Sequence, residues 1–504
     1  MNDRFDLAVI GGGINGVGIA RDAAGRGLKV FLCDKGDLAG ATSSASSKMI
    51  HGGLRYLEQF AFRLVRESLA ERAVLLRTAP HLVRPIRFVL PHAAGLRPRW
   101  MVRTGLYLYD HIGGAGVLPG TEAISLGEDE RGIALNGRAR AGFVYSDCVV
   151  DDARLTVLAA RDAARHGAEI APRTALVAAQ REAGSWRLGL RGDDGTAREV
   201  AAHILVNAAG PWVSDVQRLA GLGGGAGLRL VKGSHIVVRR LYPGDHAYLL
   251  QNDDRRVVFV IPYERDFTLI GTTDIAVDGD PAAAAITQEE IDYLCRAVGR
   301  WLRDPPSPAD VVWRYAGVRP LYNDGAGSAS AVTRDYVFDL DEKGAPALSV
   351  FGGKLTTFRR LAEHALERLA AHLPAAGPAW TATALLPGGE GFSPGLAGEL
   401  ARDHPTLDAA TAERLARNYG SEARAMLDAG PGRDLGAGLS EAELRWLVER
   451  EWARTAEDVL WRRTKLGLHA GPEIAQTVAA CLRTINAPRP ADAARLPAGQ
   501  TPYR

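Results

Sequence analysis

Hydrophobic and polar positions change their spacing along the chain. Residues 7–10 form a short, uninterrupted apolar run that ends in glycines, which predicts a buried strand. Residues 17–26 predict a helix, and residues 28–34 ("LKVFLCD") predict a second strand that ends at Asp34. A strand, a helix and a strand in this order indicate the start of an α/β fold.

Strands separated by turns predominate between about residue 139 and residue 350. Residues 185–191 ("SWRLGLR") and 233–240 ("GSHIVVRR") alternate apolar and polar side chains, which predicts half-exposed antiparallel strands in a sheet separate from the first. Residues 387–394 ("PGGEGFSP") predict a linker, and the pattern beyond it is helical. There, Ser440 is predicted to cap a helix, and residues 446–468 are predicted to be helical as well.

The composition indicates a globular protein with more than one domain. The chain has 504 residues, too many for one ordinary core, and its 61 Lys and Arg against 59 Asp and Glu give a net charge of +2. This balance does not favour a nucleic-acid binder, whose signature is a concentrated basic face. The N-terminal residues match neither a signal peptide nor a transit peptide, and no run approaches the roughly 18 apolar residues of a membrane span.

The cysteines are far apart in the sequence and form no C-x-x-C pair: Cys33, Cys148, Cys295 and Cys481. A structural zinc site and a disulfide framework are therefore not expected, and no metal is predicted. This usage favours a reducing cytoplasm.

Gly11, Gly13 and Gly16 supply the pattern G-x-G-x-x-G between the first strand and the first helix. The first glycine allows a tight turn, the second lets a pyrophosphate approach the backbone, and the third lets helix and strand pack closely. The helix N-terminus offers free N–H groups to phosphates, and Asp34 is placed to accept hydrogen bonds from a ribose. The pattern predicts a dinucleotide site; the alternative is a glycine-rich turn that binds no ligand.

A loop rich in hydroxyl groups follows the second strand and contains Thr42, Ser43, Ser44, Ser46 and Ser47 with Lys48. Such a loop can wrap a pyrophosphate and the edge of an isoalloxazine, although its composition also fits a flexible surface loop. Residues 203–216 predict a strand that runs into an Ala-Gly-Pro turn, which brings backbone close to a ligand. Both features suit a large, permanently held cofactor.

These segments together resemble the FAD-dependent glycerol-3-phosphate dehydrogenase family. Residues 10–27 ("IGGGINGVGIARDAAGRG") are similar to its N-terminal signature and residues 41–58 ("ATSSASSKMIHGGLRYLE") to its flavin and substrate loop. Further segments follow in the family's order, at residues 145–155, 232–238, 270–274, 317–321, 351–366 and 446–468. Two positions depart from the family pattern: Phe358 stands where tyrosine is usual, and Asp34 stands where glutamate is common.

The resemblance implies an α/β fold in which a Rossmann-like FAD-binding domain is interleaved with an antiparallel-sheet substrate domain and followed by a C-terminal all-helical domain. The expected bounds are 1–80, 146–225 and 341–386 for the FAD-binding domain, 81–145 for a substrate and membrane-contact segment, 226–340 for the substrate domain and 387–504 for the helical domain. The residues expected to contact FAD are Gly11, Gly13, Ile14, Asn15, Gly16, Asp34, Lys35, Thr42, Ser43, Ser44, Ser47, Lys48, His51, Gly52, Gly53, Leu54, Val177, Ala209, Gly210, Trp212, Gly353, Lys354, Leu355 and Thr356.

The resemblance also implies oxidation of glycerol 3-phosphate to dihydroxyacetone phosphate, with hydride transfer to flavin N5. A phosphate monoester needs cationic partners, and the planar fork of arginine binds it bidentately. The residues expected to bind the substrate are Arg55, Tyr56, His235, Arg319, Arg334, Lys354 and Thr356. Catalytic roles are expected for His235, Arg319 and Lys354, with His235 the first choice for proton handling and His51 the second. Arg319 and Lys354 would also lower the pKa of the substrate hydroxyl, leaving little for a base to do.

Residues 96–114 mix arginines with aromatic and apolar side chains, which suits either a membrane interface or a buried helix with arginine ends. The resemblance favours the membrane, and with it a quinone acceptor, a cytoplasmic protein held peripherally at the inner membrane, and a homodimer. Three competitors stay open: a glycerophosphate oxidase that uses oxygen, an amine-oxidising flavoenzyme, and a flavin-holding sensor without catalysis.

Overall fold

The computed structural model describes residues 4–93, 96–112, 118–223, 227–254, 256–323 and 335–485. The strands are β1 (Arg4–Ile10), β2 (Val30–Cys33), β3 (Met49–Ile50), β4 (Arg84–His92), β5 (Glu122–Ser125), β6 (Ala141–Val149), β7 (Glu169–Ala171), β8 (Thr174–Glu182), β9 (Ser185–Gly192), β10 (Ala197–Asn207), β11 (Leu228–Arg239), β12 (Ala247–Gln251), β13 (Val257–Tyr263), β14 (Phe267–Gly271), β15 (Ile275–Ala276), β16 (Val311–Tyr322), β17 (Val337–Asp341) and β18 (Ala347–Phe351). The α-helices are α1 (Ile14–Gly25), α2 (Phe62–Thr78), α3 (Arg99–Ile112), α4 (Asp152–Arg165), α5 (Val213–Leu219), α6 (Gln288–Gly299), α7 (Phe358–Arg368), α8 (Leu396–Asp403), α9 (Ala409–Tyr419), α10 (Glu422–Met426), α11 (Glu441–Glu451) and α12 (Glu473–Ile485).

The first sheet has a parallel centre. Its strand order is β17–β18–β10–β1–β2–β7, and β8 and β9 extend it as an antiparallel hairpin beside β10. Successive side chains of a strand point to opposite faces. Leu7 and Val9 accordingly pack with α1, α4 and α7, whereas Ala8 and Ile10 pack against Trp186 of the hairpin. Both faces are therefore buried, as in other α/β sheets.

The second sheet is mostly antiparallel, in the order β15–β11–β14–β13–β12–β4–β6–β3, with β16 beside β11 and β5 beside β6. Ile236 and Val238 of β11 pack against Ile291 and Leu294 of α6 on one face. Val237 packs on the opposite face in a cluster that includes residues of α2 and α3. The chain leaves the first sheet for the second and returns to it twice, which interleaves the two sheets.

The region after β18 is helical and has its own core, built from residues of α8 to α12. The capping of α11 is confirmed, because the Ser440 hydroxyl accepts the N–H of Glu443 at 3.1 Å. The helix predicted over residues 446–468 is interrupted: α11 ends before Trp452, whose φ is 56°, and a π-helical turn follows at Asp458–Arg463.

Two expectations drawn from alternation are wrong. Residues 185–191 are antiparallel, as expected, but they pair with β10 and belong to the first sheet. Residues 233–238 are buried rather than half-exposed, because both faces of β11 are covered. Alternation reports the chemistry of two faces and does not identify the neighbouring strand. The α/β class with a helical C-terminal region is confirmed, and the exact domain bounds stay a prediction.

Candidate functional site

A cavity of about 1440 Å³ is lined by residues of both sheets and of the loops between them. One end is formed by the glycine turn after β1 and by the loop after β2. The other end lies on the second sheet, where residues of β12, β13 and β16 line it. A long molecule that has chemically different ends fits such a cavity.

The glycine turn owes its shape to close backbone contacts. Gly11 has a φ of 119°, and a Cβ on it would overlap the carbonyl of Ala208. A Cβ on Gly16 would overlap the carbonyl oxygen of Gly11, so α1 packs against the turn only because this position lacks a side chain. The N-terminus of α1 thereby faces the cavity, where Gly13, Ile14 and residues of the turn are among the lining residues.

Asp34 fixes the turn and the loop that follows it. Its carboxylate accepts the N–H of Gly12 at 2.7 Å and the N–H of Gly36 at 2.7 Å. Burial raises the pKa of this carboxyl, while the two N–H groups act in the opposite direction. Beside it, the Lys35 ammonium lies 3.7 Å from the centre of the Trp212 ring.

The hydroxyl-rich loop is ordered by specific contacts and is not a loose surface segment. The Ser43 hydroxyl accepts the N–H of Ile14 at 2.9 Å, and the Thr42 hydroxyl donates to the carbonyl of Val318 at 2.6 Å. Lys48 turns away from the cavity, because its ammonium donates to the Ser44 carbonyl at 2.9 Å and to Asp152 at 2.8 Å. The loop therefore presents hydroxyl groups, and its lysine serves an internal ion pair.

The segment after β18 closes the cavity from the other side. The Asn15 amide donates to the carbonyl of Gly352 at 3.0 Å, which joins α1 to this segment. Gly353 has a φ of 94°, and a Cβ there would lie 2.7 Å from the Asn15 amide nitrogen. Phe358 is buried, and its ring packs against Gly18 of α1, where a Cβ would lie 2.9 Å from the ring.

Most of the residues predicted to bind the cofactor line this one cavity: Gly11, Gly13, Ile14, Asn15, Asp34, Lys35, Thr42, Ser43, Ser47, His51, Gly53, Leu54, Ala209, Gly210, Trp212, Gly353, Lys354, Leu355 and Thr356. The predicted residues that do not line it are Gly16, Ser44, Lys48, Gly52 and Val177. Gly16 acts through packing, and the side chain of Val177 is 40% exposed on β8, next to Leu176, which does line the cavity.

The second end of the cavity carries the predicted cations. Arg319 forms an ion pair with Asp274, and its guanidinium lies 3.4 Å from the Thr272 hydroxyl. It crosses over Gly233, where a Cβ would lie 2.5 Å from the Arg319 Nη2. The Lys354 ammonium lies 3.9 Å from the centre of the Tyr56 ring. Arg319, Lys354 and Tyr56 all line the cavity.

The structure locates only part of the remaining predicted set. The backbone of Arg55 lies in the 3₁₀ turn Leu54–Gln59, and Arg334 lies outside the described residues. Thr356 is buried, and its hydroxyl accepts the N–H of His51 at 3.2 Å. That contact holds the loop that carries His51 against the segment after β18.

His235 lies behind the wall of the cavity. Its ring is buried, stacks on Tyr315 with 4.9 Å between ring centres, and shares a hydrogen bond of 2.8 Å between Nε2 and the Ser47 hydroxyl. Burial, with the charges of Arg319 and Lys48, holds the pKa of this histidine well below its usual range. Ser47 lines the cavity and His235 does not, so the histidine reaches a ligand through the serine hydroxyl.

A buried network supports the loop that carries His51. The N–H of Gly52 donates to the Tyr109 hydroxyl at 2.8 Å, and that hydroxyl donates to Asp147 at 2.8 Å. Arg72 donates to the same carboxylate at 2.6 Å. Because Tyr109 belongs to α3, the segment predicted to meet a membrane is hydrogen-bonded to the loop that carries His51.

Sequence reasoning missed several residues that line the cavity, among them Asn252, Glu457 and Arg462. Asn252 follows β12, is only 5% exposed, and its side-chain amide has no hydrogen-bond partner among the residues that the structure describes. Glu457 and Arg462 come from the C-terminal helical region. Glu457 and Arg462 lie within residues 446–468, which resemble the family's C-terminal domain, but only the tertiary fold brings these residues to the cavity.

The residues present fit FAD. The glycine turn and the N-terminus of α1 suit a pyrophosphate, Asp34 lies where a ribose hydroxyl would be bound, and the loop hydroxyl groups point into the same cavity. The length of the cavity, from this turn to the cations on the second sheet, gives a flavin room beside a phosphorylated substrate.

Comparisons with known proteins agree with this geometry. The sequence profile of the FAD dependent oxidoreductase family matches residues 6–359, and the profile of the C-terminal domain of alpha-glycerophosphate oxidase matches residues 379–489. The chain is 52% identical to a glycerol-3-phosphate dehydrogenase of Pseudomonas aeruginosa, over 93% of both chains. It is also 52% identical to a D-erythritol 1-phosphate dehydrogenase of Brucella abortus, over 92% of this chain and 95% of that one.

A solved structure extends the likeness to three dimensions. The glycerol-3-phosphate dehydrogenase of Bacillus halodurans complexed with FAD superposes with a TM-score of 0.76 at 29% identity, over 96% of this chain and 90% of that one. The sequence identity extends over nearly the full length of the chain, and the structural superposition covers most of both chains. The chain therefore belongs to the FAD-dependent glycerol-3-phosphate dehydrogenase family.

Proposed function

We propose that this protein oxidises sn-glycerol 3-phosphate to dihydroxyacetone phosphate with FAD as the hydride acceptor. The observation that carries the proposal is the cavity, which joins a dinucleotide turn at one end to Arg319 and Lys354 at the other. A phosphate has the charge and the oxygen geometry that the arginine fork binds. A substrate with a single carboxylate, as in an amine-oxidising flavoenzyme, would use fewer of these cations.

The side chains divide the work between binding and activation. The guanidinium of Arg319 has five N–H donors, so it can bind a phosphate while Asp274 holds it in place. FAD, when bound, accepts the hydride from the carbon that carries the secondary hydroxyl. Lys354 would stabilise negative charge on that hydroxyl oxygen, which lowers the hydroxyl pKa. Asn252 offers a donor and an acceptor to the one remaining hydroxyl group, the primary hydroxyl.

Proton removal would pass through Ser47. The substrate hydroxyl donates its proton to the Ser47 oxygen, while the Ser47 hydroxyl donates its own proton to Nε2 of neutral His235. A bound phosphate offsets the charge of Arg319, which is one of the causes that lower the pKa of His235. The histidine would thus become a stronger base once the substrate is in place.

The purified flavoprotein, mixed anaerobically with glycerol 3-phosphate, should lose its visible flavin absorbance, because the substrate reduces the flavin and no acceptor reoxidises it. Unchanged absorbance would overturn the proposal. A parallel experiment with D-erythritol 1-phosphate tests the substrate, because one relative is named for it; faster bleaching with the four-carbon compound would also overturn the assignment to glycerol 3-phosphate.

We further propose that electrons pass to a quinone at the cytoplasmic face of a membrane, which the protein contacts peripherally. Within the part of the chain that the structure describes, no helix is both long enough and apolar enough to cross a bilayer. Helix α3 instead buries Leu106 and Tyr109 and exposes Trp100 and Tyr107, which are 68% and 61% accessible. Such a helix suits a position in the interface, and its Tyr109 is hydrogen-bonded to Gly52 in the loop that carries His51.

The exposed patch extends beyond α3. Phe60 and Phe62, at the start of α2, are also exposed, with ring centres 6.2 Å apart, and α2 packs against α3. Arg63, Arg99 and Arg103 are close to these aromatic residues in the sequence. Apolar rings with basic neighbours favour a surface with anionic lipid headgroups. A quinone dissolved in that bilayer would approach the cavity from this side. The homodimer stays a prediction.

Trp100→Ser combined with Tyr107→Ser should lower partitioning onto anionic lipid vesicles by roughly tenfold or more, because two interfacial aromatic side chains are lost. Vesicle co-sedimentation at constant salt measures the effect. Ile133→Ser removes an apolar side chain that is 58% exposed outside this patch and serves as the control. Equal partitioning of the two variants would contradict the assignment, and reoxidation by oxygen as fast as by a quinone analogue would favour an oxidase.

A further inference from the structure

We propose that the C-terminal helical region is part of the cofactor site: segment Glu457–Arg463 holds the loop Asp34–Gly40 and so retains the nucleotide end of FAD. The segment is far from that loop in the sequence, but two of its arginines bond to Asp37 of the loop. The proposal depends on the dinucleotide cavity and is independent of which phosphorylated alcohol is oxidised.

Asp37, within that loop, is the anchor of the contact. The Arg462 Nε donates to its carboxylate at 2.7 Å. Arg463 donates from both terminal nitrogens, at 2.7 and 2.9 Å, in the bidentate geometry of a strong arginine–carboxylate pair. Arg463 and Asp37 are both buried, so these bonds are little screened by solvent.

The same segment is tied to the opposite side of the loop. Asp458 accepts two bonds from Arg173, at 2.8 and 2.6 Å, and also pairs with Arg462. The backbone N–H of Arg173 donates to the carbonyl of Gly36 at 2.7 Å. The next residue, Thr174, donates its N–H to the carbonyl of Asp34 at 2.7 Å. The loop that carries the predicted ribose carboxylate is therefore held at Asp37 by ion pairs, and at Gly36 and Asp34 by the backbone N–H groups of Arg173 and Thr174.

Two members of the segment also face the cofactor directly. Glu457 and Arg462 line the cavity together with Asp34, Asp37 and Arg173. The Arg462 Nη1 donates to Glu457 at 2.7 Å, which fixes both side chains at the wall. Arg462 both holds the loop and forms part of the cavity wall, so it would affect FAD retention in two ways.

The segment is itself firmly seated. Arg463 Nη2 donates to the backbone carbonyl of Glu451 at 2.7 Å. The Glu451 side chain forms an ion pair with Arg154 of α4, and both are fully buried. Because α4 packs on the first sheet, these bonds connect the segment both to the cofactor loop and to the core of the nucleotide domain.

Arg462→Met tests the proposal. Arg462 and Arg463 both reach Asp37, and Arg462 is the less buried of the two, with 13% of its side chain accessible. We expect its FAD dissociation constant to rise by about tenfold or more, because a charge-assisted contact at the wall is lost. Release of FAD from the holoprotein, followed by the rise in free flavin fluorescence after dilution, measures the effect without any substrate. Arg462→Lys keeps a charge for Asp37 and should restore part of the affinity.

Arg414→Met is the matched control. Arg414 forms a buried pair with Glu443 inside the helical region, and neither residue lines the cavity. Measured at a temperature at which each variant is folded, the control should release FAD as the unaltered protein does. Equal FAD affinity of Arg462→Met and the unaltered protein would overturn the proposal, and so would an equal loss of affinity in Arg414→Met, which would show a general effect of destabilisation.

Discussion

Arg319→Met is expected to lower kcat/KM for glycerol 3-phosphate by about 100- to 1000-fold, because a charge-assisted, partly desolvated contact to phosphate contributes roughly 3–4 kcal/mol. Methionine keeps an unbranched apolar stem but lacks the guanidinium, whose Nη2 and Cζ are the atoms that lie over Gly233. Asp274 would then face the phosphate without its cation, which adds repulsion to the lost attraction. The effect should therefore exceed the loss of one hydrogen bond.

Steady-state kinetics and anaerobic flavin reduction measure this change, and the flavin content of the variant should equal that of the unaltered protein. Arg240→Met is the control, since Arg240 lies on the loop next to β11 and donates to the carbonyls of Tyr242 and Arg265, away from the cavity. The phosphate role of Arg319 is refuted if kcat/KM stays within a few-fold of the unaltered value.

The glycine turn and the strand and helix on either side of it, which the sequence predicted, are set by local backbone geometry. The glycine pattern determines a turn whose close contacts at Gly11 and Gly16 tolerate no side chain, whatever the rest of the chain does. The alternation of residues 185–191 likewise predicted antiparallel strands, but which sheet they join depends on pairing with β10. Local patterns thus predict which secondary-structure element forms better than they predict which strand lies beside it.

The direction of a side chain was not predictable where a distant partner decides it. Lys48 stands in a loop of hydroxyl groups, yet its positive φ of 56° and an ion pair with Asp152, 104 positions away, turn it from the cavity. Arg462 reaches the cavity wall through Asp37, at a separation of 425 positions. No spacing rule connects residues at such distances, and only the packing of complete domains shows them together.

His235 shows both what a local sequence motif predicts and what only the fold decides. Its motif predicted a site residue, but the fold places Ser47 between its ring and the cavity. In the free protein the depressed pKa keeps the imidazole neutral near pH 7, which leaves Nε2 or the Ser47 oxygen able to accept a proton. The same shift makes the folded state lose stability as the pH falls below about 6.5, where an unfolded histidine takes up a proton.

His235→Gln is therefore expected to lower kcat by about 100-fold, the usual contribution of a general base, while KM and flavin content change little. Glutamine keeps a hydrogen bond to Ser47 but cannot accept a proton. In the unaltered protein the acid limb of kcat should lie at a higher pH than that of kcat/KM, because bound phosphate offsets Arg319, and the variant should lose this limb.

His246→Gln is the control: His246 bonds to the Tyr248 hydroxyl at 2.9 Å and burial lowers its pKa to about 4, but it lies outside the cavity lining. An unchanged kcat and pH profile in His235→Gln would show that Arg319 and Lys354 acidify the substrate hydroxyl sufficiently without a base.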